Sequence, residues 1–117
     1  MEELKLKAFL EHFNIEDADL VSADRNIYEY DGKEYIIRTY EEADEELRYY
    51  YQDLVDDTLR YEIPEHLRPY FNEKDYLEDL VYDSNYSAIS YYDGDWEEIR
   101  TTNKNGILHA FILIREN

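Results

Sequence analysis

The chain has 117 residues, with 30 Asp and Glu against 12 Lys and Arg, a net charge of −18 at neutral pH. That charge makes nucleic acid and anionic membrane poor direct partners and a basic protein a good one; solubility alone needs only roughly 2–8 charges on a small domain. Cysteine is absent, so disulfides and thiolate metal sites are excluded, which fits a reducing cytoplasm. Acidic chains poor in aromatics stay disordered, but fourteen Tyr, four Phe and one Trp predict a folded chain, a single domain over residues 1–117.

The first segment, residues 2–13, places Leu6, Phe9, Leu10 and Phe13 at helical spacing, predicting a short helix that buries two phenylalanines and stops near Asn14. It carries acid at once and has no continuous apolar stretch, so it does not read as a signal peptide. Residues 14–26 lack a clear period and read as a loop with a turn of helix. IYEY and EYIIR then flank Asp31-Gly32, a pair that tolerates the positive φ angles of a two-residue hairpin.

Residues 39–59, TYEEADEELRYYYQDLVDDTL, predict one long amphipathic helix. Thr39 as N-cap and Glu42 three residues on make a capping box. Ala43, Leu47, Tyr50, Tyr51, Leu54 and Thr58 recur at spacings that put them on one stripe, expected to face a core. The opposite side carries Glu41, Glu42, Glu45, Glu46, Asp53, Asp56 and Asp57, interrupted only by Arg48, with Tyr49 turned toward it. Over the roughly 24 Å from Glu41 to Asp57, seven carboxylates average one per about 3.4 Å, the phosphate spacing along a duplex strand. Glu41/Glu45, Glu42/Glu46 and Asp53/Asp57 are like-charge pairs four apart, each costing about 0.2–0.5 kcal/mol, and the three aspartates sit where the helix dipole disfavours them. Two readings stand: a solvated face, or a surface that meets something cationic.

Beyond this helix, Pro64 and Pro69 limit the chain to a helical turn from Pro64 to Arg68, and Asn72 with Asp75 caps a third helix, ending near Asp83, whose apolar face is Tyr76, Leu77, Leu80 and Val81. In the last third, Asp93-Gly94 and Asn105-Gly106 separate YSAISYY, DWEEIRT and ILHAFILIRE, predicting an antiparallel meander with Ser87 and Ser90 as strand residues and Tyr91 and Tyr92 on opposite strand faces. Residues 107–114 are apolar on both alternating faces, as in a central strand covered on both sides. The expected class is α+β, with about three helices packed on one face of a small antiparallel sheet with hairpin turns. Residues 110–114, the longest apolar run, are too few to cross a bilayer.

No glycine-rich phosphate loop is present, and His12, His66 and His109 show no paired-ligand spacing. No catalytic residue and no cofactor are expected. Asp93, Asp95 and Glu97 could converge on Mg²⁺ or Ca²⁺, although the EF-hand spacing is missing and a turn with exposed acids is the simpler reading. Core and sheet packing is the expected role of most tyrosines; exposed Tyr beside carboxylate also makes a rigid binding surface that can stack on Arg.

The runs EEADEELRYYYQDLVDD, IPEHLRPYF, YYDGDWEE and ILIREN together resemble small acidic proteins encoded by bacteriophages and prophages, over roughly residues 36–117. Glu41-Glu42-Ala43-Asp44 and Tyr92-Asp93-Gly94 are the most specific pieces, and residues 1–26 fall outside the resemblance. It implies a small cytoplasmic accessory protein made in an infected bacterium, and no residue role transfers with it. By size and charge the chain looks like the phage inhibitors of host defence, anti-restriction DNA mimics and anti-CRISPR proteins among them. The expected partner is thus a basic host protein, a nucleic-acid-binding nuclease or CRISPR effector, contacted through Glu41, Glu42, Glu45, Glu46, Tyr49, Asp53, Asp56 and Asp57. The alternatives are a phage assembly module with a merely solvated acidic face, and a small carboxylate metal enzyme using Asp93, Asp95 and Glu97. Oligomeric state stays open.

Overall fold

The computed structural model describes residues 1–24 and 26–117; Arg25, in the stretch read as a loop, lies outside them. The class is α+β. Helix α1 spans Glu2–His12, α2 Tyr40–Tyr61 and α3 Glu73–Tyr82; the strands are β1 Ser22–Asp24, β2 Ile27–Tyr30, β3 Lys33–Arg38, β4 Trp96–Thr102 and β5 Leu108–Arg115. They form one antiparallel sheet in the order β1-β2-β3-β5-β4.

Local chemistry explains most boundaries. Helix α1 ends where Asn14 takes φ 54° and the Ile15 N–H returns 2.8 Å to the Leu10 carbonyl, a Schellman closure. Asp31 and Gly32, both at positive φ, close the β2–β3 hairpin between the paired Tyr30 and Lys33. The Thr39 N–H donates to Glu42 Oε1 at 2.9 Å and the Glu42 N–H to Thr39 Oγ1 at 3.1 Å, so the capping box is complete. Asn72 caps α3 by accepting from the Asp75 N–H.

Strand β5 runs between β3 and β4, and its Phe111, Ile112, Leu113 and Ile114 are all buried. Cover on both sides needs helices on both faces, so the expected packing on one face is divided. On one face Phe111 and Leu113 join Ile99, Ile37, Tyr35 and Tyr28 beneath Ala8 and Phe9 of α1. On the other, Ile112 and Ile114 meet Ala43 and Leu47 of α2 and Ile89.

Three local expectations are corrected. The segment YSAISYY is not a strand: Tyr86–Ile89 is a 3-10 helix, with the Asn85 side chain accepting from the Ser87 N–H and the Ser90 hydroxyl donating to the Tyr86 carbonyl. Tyr91 and Tyr92 follow in a turn, so Asp93-Gly94 leads into β4 and does not join two strands. Side-chain hydrogen bonds to the local backbone outcompeted the ladder there. Within residues 14–26, Ala18–Leu20 is a 3-10 turn, as expected, but Ser22–Asp24 pairs with β2.

The third correction concerns α2. Its buried residues are Ala43, Leu47 and Val55, whereas Leu54 is 42 % exposed and Tyr50 44 %. Its buried contacts with the sheet core, Ala43 and Leu47, lie in roughly its first two to three turns, so the rest of this 22-residue helix, roughly 33 Å long in all, runs on past the sheet core. Its outer half is flanked by α3, tied on by Arg48, which donates to both carboxylate oxygens of Glu78 at 2.8 and 3.2 Å. Val55, seven residues after Arg48 and thus on the same side, is buried there; no residue of α3 is. The molecule is accordingly elongated, 61 × 33 × 21 Å, with a radius of gyration of 18.1 Å where a compact chain of this length has about 13 Å. Its accessible surface of 8265 Å² likewise exceeds the roughly 6,800 Å² expected at 14.3 kDa.

The overhang sets an expected contrast. Leu47→Ala should cost about 2–5 kcal/mol, as a buried leucine does, while Leu54→Ala should cost well under half of that. Urea midpoints of the two variants check it; equal losses would put Leu54 back in the core.

Candidate functional site

The α2 carboxylates differ in what they are free to do. Glu41, Glu45, Tyr49, Asp53 and Asp57 are spaced four apart and form one exposed row along α2, with Asp56 beside its outer end. Asp56 accepts from the Gln52 amide at 3.0 Å. Glu42 and Glu46 are engaged internally. Glu42 closes the capping box and accepts from the buried Lys5 Nζ at 3.0 Å, joining α1 to α2, and Glu46 takes Arg38 of β3 at 3.2 Å. Five carboxylates and one tyrosine therefore face outward of the eight side chains expected there.

Electrostatics bear this out at Glu42. Partial burial pushes its carboxyl up, but the Thr39 backbone N–H and the Lys5 ammonium outweigh that and hold it below its ordinary 4.5. A carboxylate depressed in the native state stabilises the fold above its unfolded pKa and loses that contribution as pH falls through the native value. The gap in melting temperature between the parent and Glu42→Gln should thus be widest at neutral pH and narrow from about pH 4.5 downward; a gap independent of pH would contradict the ion pair. Asp44, which was not among the expected contact residues, accepts from the Tyr86 hydroxyl at 2.7 Å; burial and then this carboxylate push the Tyr86 phenol up to about 12.

Asp93, Asp95 and Glu97 do not converge. Asp93 sits in a turn at φ 53°, and Glu97 holds His12 Nε2 at 2.9 Å. Among the described residues no group of three or more His, Cys, Asp or Glu could hold a metal ion. A cavity of about 370 Å³ lies nearby, lined by Phe13, Tyr35, Asp95, Trp96, Glu97, Leu113 and Arg115, but the Arg115 guanidinium is already stacked 3.9 Å over the Tyr92 ring.

The tyrosines depart most from expectation. Nine of the fourteen are exposed, Tyr49, Tyr50, Tyr61, Tyr70, Tyr76 and Tyr82 among them on the overhanging helices and the turn between, although Tyr40, Tyr50, Tyr76 and Tyr92 still pack against a neighbouring aromatic ring or guanidinium.

Acid and aromatic surface thus coincide on the projecting half of an elongated α+β protein. No protein-family model matches the chain, and comparison with curated proteins and with solved structures finds no match. No helix among the described residues is long and apolar enough to cross a membrane.

Self-repulsion should be measurable. Melting temperature is expected to rise with salt over the first few hundred millimolar, as the Debye length falls from about 10 Å at 0.1 M. A flat or falling curve would mean that the ion pairs to Arg38, Arg48 and Lys5 outweigh the repulsion.

Proposed function

We propose that this chain is a phage-encoded inhibitor that occupies the nucleic-acid-binding surface of a basic host protein, a defence nuclease of the restriction or CRISPR kind, in the cytoplasm of the infected cell. The row Glu41, Glu45, Asp53, Asp56 and Asp57 of α2 stands in for phosphates, and Tyr49 packs on the partner's guanidinium groups.

The observation that carries this reading is charge set against shape. The body is elongated, 61 Å in its longest dimension, it carries a net −18, and five exposed carboxylates follow one another along its projecting helix. The row lies along a rigid helix, and its carboxylates form no ion pairs among the described residues, so complementarity to a basic channel would give fast, salt-sensitive association. Nothing in this role calls for a catalytic group or a cofactor.

The test is competition. The protein is used to capture its partner from host lysate at low ionic strength, and the captured partner is then offered labelled duplex or guide RNA. Mutually exclusive binding is the expected result. A partner that holds nucleic acid and this protein together, or one with no nucleic-acid site, would overturn the reading.

A further inference from the structure

The stripe that seats α2 on the sheet continues after the sheet has ended. At 3.6 residues per turn, Ala43, Leu47, Tyr50, Leu54 and Tyr61 fall within roughly 60° of arc on one side of the helix. Ala43 and Leu47 are buried against Ile112 and Ile114. Tyr50, Leu54 and Tyr61 lie on the same line and are 44 %, 42 % and 75 % exposed. The side-chain tie to α3, from Arg48 to Glu78, lies about 100° further round, on the side of the buried Val55. Exposed Asp53 and Asp57 border the bare stripe on its other side, and Arg60 lies against Tyr61 at its outer end, 5.9 Å from the ring.

We propose that Tyr50, Leu54 and Tyr61 dock an amphipathic helix of the partner, apolar along one face and edged by Lys or Arg. An apolar line spanning three turns, at spacings of four and seven with Asp57 and Thr58 in the turn between Leu54 and Tyr61, is the complement of such a face. The carboxylates beside it match a cationic edge, and the tyrosine rings can take guanidinium stacking. A second copy of this chain is the poorer occupant, since it would bring Asp53 and Asp57 of each molecule together and set −18 against −18. The inference rests on the proposed function for the partner's basic character and adds the anchor: the carboxylate row governs association rate, and the stripe governs how long the complex lasts.

The experiment uses the full chain and two synthetic peptides of identical leucine and lysine content, one with leucines at helical three-four spacing and one with the order permuted. Titration followed by amide and side-chain chemical shifts should show the amphipathic peptide binding at least about tenfold more tightly than the permuted one, with the largest shifts at Tyr50, Leu54 and Tyr61. Leu54→Asp should weaken it by about tenfold or more. That variant adds a carboxylate, so a contact made by charge alone would tighten instead. Tyr50→Ser, which adds no charge, should weaken it in the same direction.

Equal affinity of the two peptides, or unchanged affinity of both variants, overturns the inference. So does a dimer in sedimentation that Leu54→Asp dissolves, since the occupant would then be a second copy. Failure of the competition experiment with Leu54→Asp still losing the peptide would instead sink the nucleic-acid-site reading and leave the docking stripe standing.

Discussion

Phe9→Ala is expected to lower the stability of this protein by about 3–5 kcal/mol, the range for truncating a buried phenylalanine. The ring is fully buried on one face of the sheet, with its centroid 4.9 Å from Phe13, 5.5 Å from Tyr28 and 5.5 Å from Tyr35. Removing it strips aromatic contacts worth about 0.5–1.5 kcal/mol each beyond their buried area and leaves a cavity under α1. A small domain has only about 5–15 kcal/mol in total, and this one spreads its chain over two half-cores and an overhang. Helix α1 also delivers Lys5 to Glu42, so loosening it should weaken the start of α2. Urea unfolding of parent and variant checks the value. A loss below about 1 kcal/mol would mean that α1 is not an integral part of the core.

Reversing charge on the exposed row should have the largest effect on binding. Glu45→Lys, Asp53→Lys and Asp56→Lys together are expected to slow association with a basic partner by an order of magnitude or more at low ionic strength, and to flatten its dependence on salt. None of the three is buried, and among the described residues the only side-chain bond lost from them is the exposed Gln52–Asp56 contact, so the fold should hold. It should even gain a little, because Glu41/Glu45 and Asp53/Asp57 turn from like to opposite pairs. The control is Asp95→Lys, Glu97→Lys and Glu98→Lys, which spares the left-handed Asp93, changes net charge equally around the start of β4 and, among the described residues, gives up the exposed His12–Glu97 and Glu98–Arg100 pairs, surface contacts of small worth. Equal slowing by both triples would mean that overall charge steers the encounter and α2 is not the site.

The elements set by neighbouring residues are legible in the sequence alone. Thr39 with Glu42 marks the start of α2, Asp31-Gly32 the first hairpin and Asn72 with Asp75 the start of α3, because each is a hydrogen bond or a φ preference settled within four residues. The unbroken apolar run of β5 likewise requires cover on both faces. Equally local chemistry operates from Asn85 to Ser90 but is masked there, since the Tyr-Ser alternation imitates a strand while Asn85 and Ser90 bind the backbone of a 3-10 turn.

What the chain order could not convey is where one element ends against another. Tyr50 and Leu54 share a stripe with Ala43 and Leu47, and periodicity treats the four alike; only the position of the sheet edge leaves the first two bare and hands burial to Val55, on the side that α3 covers. Glu42 and Glu46 share a face with Glu41 and Glu45, yet Lys5, 37 residues away, and Arg38, on a strand, claim them for internal pairs. Charge, amphipathicity and caps are properties of a segment and were determined by the sequence itself. Exposure and free valence are properties of a pair of segments, and only the tertiary structure could decide them, because burial depends on what another part of the chain brings into contact.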